Sequence, residues 1–417
     1  MPDAMTLEPR RASPPSPGPL KVLLLEDIHA SATELFAAPG FEVERLKTAL
    51  PEGELTRRIE DIHVLGIRSK THVSAATLGA ARNLLTLGCF CIGTNQVDLA
   101  AANHSGIPVF NAPFSNTRSV AEMIVAEIVM LARHLGDRSR EVHAGVWRKV
   151  ATSSYEVRGK TIGIVGYGHI GRQVGVLCEM LGLRVVFYDH ATKLPMGNNR
   201  ACATLNELLA EADFVTLHVP ATPQTHEMIG ADEIARMRPG TYLLNASRGT
   251  VVQIPALAAA LRSGHLAGAA VDVYPREPES NSDGFVSELQ NLPNVVLTPH
   301  IGGSTREAQA AIGREVATAL VKFVNGGATT GAVNFPQVEL AQVPGTHRIL
   351  NVHRNVPGVM RDVNRIVSEY DANIHSQILS TDANIGYLVM DLDQDVSHDV
   401  CEAIGRLPTN IRTRVLY

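Results

Sequence analysis

The chain has 417 residues, 45% hydrophobic and 19% charged, enough apolar material for two or three well-buried domains. Its formal net charge of −5 lacks the basic excess of a general nucleic-acid or anionic-membrane binder, and no apolar run approaches the roughly 18 residues of a membrane span. Five cysteines (Cys89, Cys91, Cys178, Cys202 and Cys401) show no metal-ligand spacing, and the odd count fits a reducing, cytoplasmic setting with no metal site.

The opening stretch, "MPDAMTLEPRRASPPSPGPL", is rich in Pro and Ser and has no apolar core for a signal peptide. Asp3 and Glu8 count against an organelle transit sequence, so residues 1–19 read as a disordered leader. "KVLLLED" (21–27) is a short apolar run of the kind a buried parallel strand needs, and "ATELFAAPG" reads as a short helix ended by Pro-Gly. "IHVLGIRS", "LLTLGCF" and "PVFNAP" repeat the alternation of strand and helix, as in a parallel sheet with crossover helices. "SVAEMIVAEIVMLARHL" (119–135) has no Pro or Gly and predicts one long helix.

A second α/β unit begins at "KTIGIVGYGHIG" and supplies six candidate strands, the last being "PNVVLTPH". A long helix follows over 305–327, and "AVNFP" (332–336) would return the chain to the first unit. After the linker "QVELAQVPGTH", the order β-α-β-β-α-β predicts a ferredoxin-like sandwich, with Val359, Val363, Ile366 and Val367 on one apolar helix face.

Gly166, Gly168 and Gly171 follow the apolar strand "TIGIV" and open a helix. That spacing gives a tight turn, a close backbone approach to a pyrophosphate, and close helix packing, with the anion on the helix N-terminus. Asp189, 23 positions after Gly166, stands near the distance expected of a ribose-binding acid and would repel a 2′-phosphate, favouring NAD over NADP. Arg248, Glu277 and His300 also follow candidate strands, where open α/β sheets bind ligands. Singly they read as a surface Arg, a solvated Glu and a loop His. Together they suit oxidation of a 2-hydroxy acid: Arg248 to hold the carboxylate or polarise the carbonyl, His300 to exchange the hydroxyl proton, and Glu277 to hold the imidazole.

The motifs "GYGHIG", "LHVPATPQT", "LLNASRGTVV", "GAAVDVYPREP" and "LTPHIGGST", in that order, closely resemble the D-2-hydroxyacid dehydrogenase family over residues 20–336. The resemblance implies two Rossmann-like or flavodoxin-like α/β lobes, the NAD lobe inserted into the substrate lobe, then a ferredoxin-like α+β domain of the ACT type. The lobes would be 20–118 with 312–336 on the substrate side, 119–311 for NAD, and 345–417 for the ACT domain. It implies Arg248, Glu277 and His300 in the roles above. NAD contacts would come from Gly166, Gly168, His169, Ile170, Gly171 and Asp189; from His218, Val219 and Pro220; from Ala246, Ser247 and Arg248; and from Asp272, His300, Ile301, Gly302 and Gly303.

Within the family, the chain resembles the short phosphoglycerate-oxidising members that open serine synthesis and carry one regulatory domain. Arg68, Ser69 and Lys70 in "GIRSKTHV", and Lys149 beside Trp147 in "GVWRKVA", would serve a phosphate; Arg68, Ser69, Lys149 and Arg248 are the expected substrate contacts. Asn116 and the "CIGTNQVD" loop are lesser candidates. His353, Asn355 and Asn373 match positions that hold L-serine across a paired ACT interface. The partners expected are therefore a phosphorylated hydroxy acid, L-serine as effector, and further copies of the chain in a tetramer, with no nucleic acid and no membrane. A side activity on 2-oxoglutarate, a glyoxylate or hydroxypyruvate reductase with an ACT tail, and a dinucleotide-sensing corepressor stay open; the tail beyond residue 343 favours an enzyme.

Overall fold

The computed structural model describes residues 18–278 and 283–417. Most of the leader read at 1–19 lies outside the described residues. By its internal contacts the chain divides into two compact units. One comprises the residues up to Ser115 with Gln309–Tyr417, the other Asn116–Ala308.

In the first unit a parallel sheet comprises β1 (Leu20–Leu24), β2 (Phe41–Arg45), β3 (Val64–Ile67), β4 (Thr86–Cys89) and β5 (Val109–Asn111), of which β3 and β4 are buried throughout. The order is β2-β1-β3-β4-β5, so the chain reverses its direction of travel across the sheet between β1 and β3. The sequence predicts the two strands at this reversal and misses β2, an edge strand whose residues are half-buried or exposed. The Arg306–Gly326 helix covers one face, with Val316 and Leu320 seated over Gly88, where any side chain would collide with them. Ala332 then bridges Phe110 of β5, which is the predicted return.

The same unit holds an antiparallel sheet of β13 (His347–Arg354), β14 (Ile374–Thr381), β15 (Ile385–Leu392) and β16 (Asn410–Leu416), in the order β14-β15-β13-β16. Its two faces follow the period-two alternation of β13. Ile349 packs with the helices Val359–Glu369 and Ser397–Gly405, whereas Leu350 and Val352 join Leu320 and Phe323 of the Arg306–Gly326 helix. Val359, Val363, Ile366 and Val367 are buried as their spacing predicts.

The second unit is a seven-stranded parallel sheet. Its strands are β6 (Thr161–Val165), β7 (Arg184–Tyr188), β8 (Arg200–Ala201), β9 (Phe214–Leu217), β10 (Thr241–Asn245), β11 (Leu266–Val271) and β12 (Val295–Leu297). The order β12-β11-β10-β9-β6-β7-β8 is that of a Rossmann sheet, with its reversal between β6 and β9. The six predicted strands are all present; the two-residue edge strand β8 is the addition. The helix expected over 119–135 runs Thr117–Ala132, and after a break at His134 (φ +53°) a second helix that the sequence reading did not include, Leu135–His143, follows. Asn294 sits at the break: its side-chain amide donates to the Leu131 carbonyl, and its backbone N–H donates to Asp137.

Candidate active site

The Gly166–Gly171 loop sits at the β6/β9 reversal, where an open α/β sheet leaves a crevice at the carboxyl ends of its strands. Gly166 adopts φ +92°, and a Cβ there would run into the His218 carbonyl at the end of β9. Gly168 faces open space and caps the His169–Met180 helix without a side-chain hydrogen bond. Gly171 packs on Ile164 and the Gly166 carbonyl. At the end of β7, Asp189 accepts the Tyr167 amide at 2.8 Å and the Ala191 amide at 3.0 Å, which fixes its carboxylate beside the loop. A bare cradle backed by a fixed acid has the shape and charge that NAD requires. His218 Nε2 pairs with Thr216 at 3.0 Å, while burial pushes its pKa down to about 3, so the ring is neutral.

The strand ends β10, β11 and β12 carry the remaining groups. Asn245 fixes the first turn by accepting the Ser247 amide and hydroxyl at 3.1 and 2.8 Å and donating to the Arg248 carbonyl at 3.0 Å. The Arg248 backbone is thus held independently of its guanidinium. Gly249 lies flat against the Tyr274–Pro275 peptide, leaving no room for a side chain. That contact brings the turn bearing Arg248 against the turn bearing Glu277. Sequence reading missed Gly249; the glycine directly after the arginine was the available signal.

His300 occupies the left-handed region at φ +54° and donates Nδ1–H to Glu277 Oε2 at 2.8 Å, so Nε2 is the ring nitrogen able to exchange a proton. The other Glu277 oxygen accepts the Tyr274 amide at 3.1 Å. The hydrogen bond to Glu277 holds the His300 pKa above its ordinary value against the opposing effects of burial and the Arg248 charge. Burial alone would raise the Glu277 carboxyl; the bond to His300 and the charges of His300 and Arg248 outweigh it and hold it low. The three side chains identified in the sequence therefore act electrostatically on one another. Asp272 braces the loop after β12, accepting Thr298 Oγ1 at 2.6 Å, Ile301 N at 2.8 Å and Gly302 N at 2.9 Å. Gly303 packs on Asn116 within the same unit.

Of the other candidates, Arg68, Ser69 and Lys70 follow directly on β3 in the first unit, and Trp147 and Lys149 lie on an exposed segment of the second, with Trp147 82% exposed. His353 is buried, donating Nδ1–H to Asn351 at 2.8 Å, and Asn355 donates to the Asp382 carbonyl at 2.6 Å. Asn373 is exposed at the start of β14. His353 pairs with Gly386 and Ile374 with Leu392, six positions along β15, which separates the two ends by about 20 Å. A single small ligand reaching all three needs a second copy of the chain.

The family model for the D-isomer specific 2-hydroxyacid dehydrogenase NAD-binding domain matches residues 125–302, and one for an AHAS small subunit-like ACT domain matches residues 349–412. The chain belongs to the D-isomer specific 2-hydroxyacid dehydrogenase family and is an NAD-dependent oxidoreductase with a C-terminal ACT domain. It is 55% identical over 398 residues to D-3-phosphoglycerate dehydrogenase of Dictyostelium discoideum, covering 95% of this chain and 97% of that one. It is 51% identical over 401 residues to D-3-phosphoglycerate dehydrogenase of Escherichia coli K12, covering 95% and 98%. Among solved structures, D-lactate dehydrogenase from Aquifex aeolicus complexed with NAD and lactic acid superposes with a TM-score of 0.65 at 26% identity, over 76% of this chain and 100% of that one.

Proposed function

We propose that this chain oxidises D-3-phosphoglycerate to 3-phosphohydroxypyruvate, the first step toward L-serine, and that L-serine inhibits it. The observation that carries the reading is near-full-length identity of 55% to a D-3-phosphoglycerate dehydrogenase in a chain whose Glu277 orients His300 beside the charge of Arg248. NAD, held by the glycine loop and Asp189, would supply the hydride acceptor for C2. His300 Nε2 takes the C2 hydroxyl proton as the hydride leaves and returns it in the reverse direction. Arg248 holds the substrate carboxylate through its forked donors, and Glu277 stabilises the imidazolium that forms. Arg68, Ser69 and Lys149 serve the phosphate. The cofactor contacts are those named from the resemblance, with Asp189 on the ribose.

Purified protein is expected to consume NADH with 3-phosphohydroxypyruvate far faster than with glyoxylate or hydroxypyruvate, read by NADH absorbance; equal rates reject the substrate. A second carboxylate resembles a phosphate in charge, so slow reduction of 2-oxoglutarate belongs to the same reading. His353, Asn355 and Asn373 hold serine between paired copies, within a tetramer in a reducing cytoplasm; the described cysteines are all free thiols. Asn355→Ala and Asn373→Ala should each raise the serine concentration for half-inhibition by about tenfold or more, the loss of one charge-assisted hydrogen bond. Unchanged inhibition curves would remove those side chains from the effector site.

A further inference from the structure

Within the first unit, ligand chemistry is expected at the sheet's own reversal, between β1 and β3, at the carboxyl ends of these strands. Two features mark that place. Glu26 and Asp27, just beyond β1, both adopt left-handed backbone (φ +62° and +51°), a conformation that costs a non-glycine residue stability and persists only where its surroundings enforce it. The Glu26 carboxylate is also buried, 7% exposed, and no cation pairs with it among the described ion pairs. It reaches instead across the reversal to the turn after β3. Oε1 accepts the backbone N–H of Arg68 at 3.0 Å and of Thr71 at 2.9 Å; Oε2 accepts that of Lys70 at 3.0 Å. Gln96 Nε2 fixes the same turn from the other side by donating to the Arg68 carbonyl at 2.6 Å.

Of the four successive amides from Arg68 to Thr71, three are consumed by Glu26 and point away from any ligand. Ser69, exposed, is the one that is not. A phosphate at this turn must then be met by the Arg68 guanidinium and the Ser69 donors rather than by a nest of backbone amides.

We propose that Glu26 is a positioning residue for phosphate recognition, its carboxylate shaping the turn after β3 so that Arg68 and Ser69 are presented to the anion. This rests on the phosphate assignment of Arg68 made above. Glu26 touches no substrate atom in this role; it acts through Arg68. Loss of the carboxylate frees three amides and lets the turn relax, so discrimination for the phosphate falls while the chemistry at C2 is not addressed.

The test compares kcat/KM for 3-phosphohydroxypyruvate with that for hydroxypyruvate, which differs only in lacking the phosphate. In Glu26→Ala this ratio is expected to fall by about tenfold or more, with NADH binding retained by fluorescence titration. Glu26→Gln keeps one carbonyl oxygen and should fall less, and it carries the test if Glu26→Ala does not fold. Arg68→Ala should lower the ratio too, and Glu26→Gln combined with Arg68→Ala should lower it no further than Arg68→Ala alone. An unchanged ratio in Arg68→Ala overturns the phosphate assignment itself. A reduced ratio in Arg68→Ala with an unchanged one in the Glu26 variants, or equal losses for both substrates, or additive losses in the double variant, overturns the positioning role.

Discussion

His300→Asn is expected to lower kcat in both directions by about 10²- to 10⁴-fold, the usual contribution of a positioned general acid–base, while NADH still binds. Asparagine occupies similar space and can still donate to Glu277, but it cannot exchange a proton. The informative companion is Glu277→Gln. Glu277 holds the His300 pKa up chiefly through the Nδ1–H hydrogen bond, and the Arg248 charge opposes it. Oxidation needs the neutral imidazole, so its rate falls as pH drops through the His300 pKa. Reduction needs the imidazolium, so its rate falls as pH rises through the same value. With the carboxylate neutralised, that pKa drops, and both limbs should move to lower pH: the oxidising enzyme keeps activity further into acid, and the reducing enzyme loses it sooner toward alkaline pH. Profiles of kcat/KM measured in both directions check this. Limbs that stay in place in Glu277→Gln would remove His300 as the titrating group.

What could be read beforehand follows the range of the forces involved. The strand at β6, its glycine spacing and the acid ending β7 are local: each is fixed by residues within a turn or two, so Gly166, Gly168, Gly171 and Asp189 stand where their spacing requires. Arg248, Glu277 and His300 were legible as a set because each follows an apolar run, and strand ends of one parallel sheet meet on one side. Long-range contacts were not legible. Gly136 ends the Pro- and Gly-free run, but the group that holds the break, Asn294, is 163 positions from the Leu131 carbonyl it binds. The sequence gives Glu26 no role beyond its place in the run "KVLLLED"; its partners lie 42 to 45 positions away. Gly249 carries a steric role that exists only because β10 and β11 are neighbours.

The same distinction governs the largest stability effect expected. Arg348 stands near the start of β13, where it is 2% exposed, and its partner Asp391 is fully buried. All five guanidinium donors are used. Nε and Nη2 form a fork on Asp391 at 2.7 and 2.8 Å; Nη1 donates to the carbonyls of Gly326 at 2.9 Å and Leu340 at 2.8 Å, and Nη2 to that of Ala341 at 3.0 Å. One side chain thus caps the end of the Arg306–Gly326 helix, holds the following linker and neutralises a buried acid on β15. Arg348→Met fills much of the volume but leaves Asp391 charged and unpaired in the interior, which should cost about 3–5 kcal/mol. Pairing the same change with Asp391→Asn removes the stranded charge, so the double variant should recover part of the loss; the three orphaned carbonyls keep it below the parent. Urea unfolding of the full chain, followed by far-UV circular dichroism, reads both as shifts in the transition midpoint. An Arg348→Met midpoint equal to the parent, or a double variant less stable than Arg348→Met alone, would show that the buried pair does not hold this sheet in place.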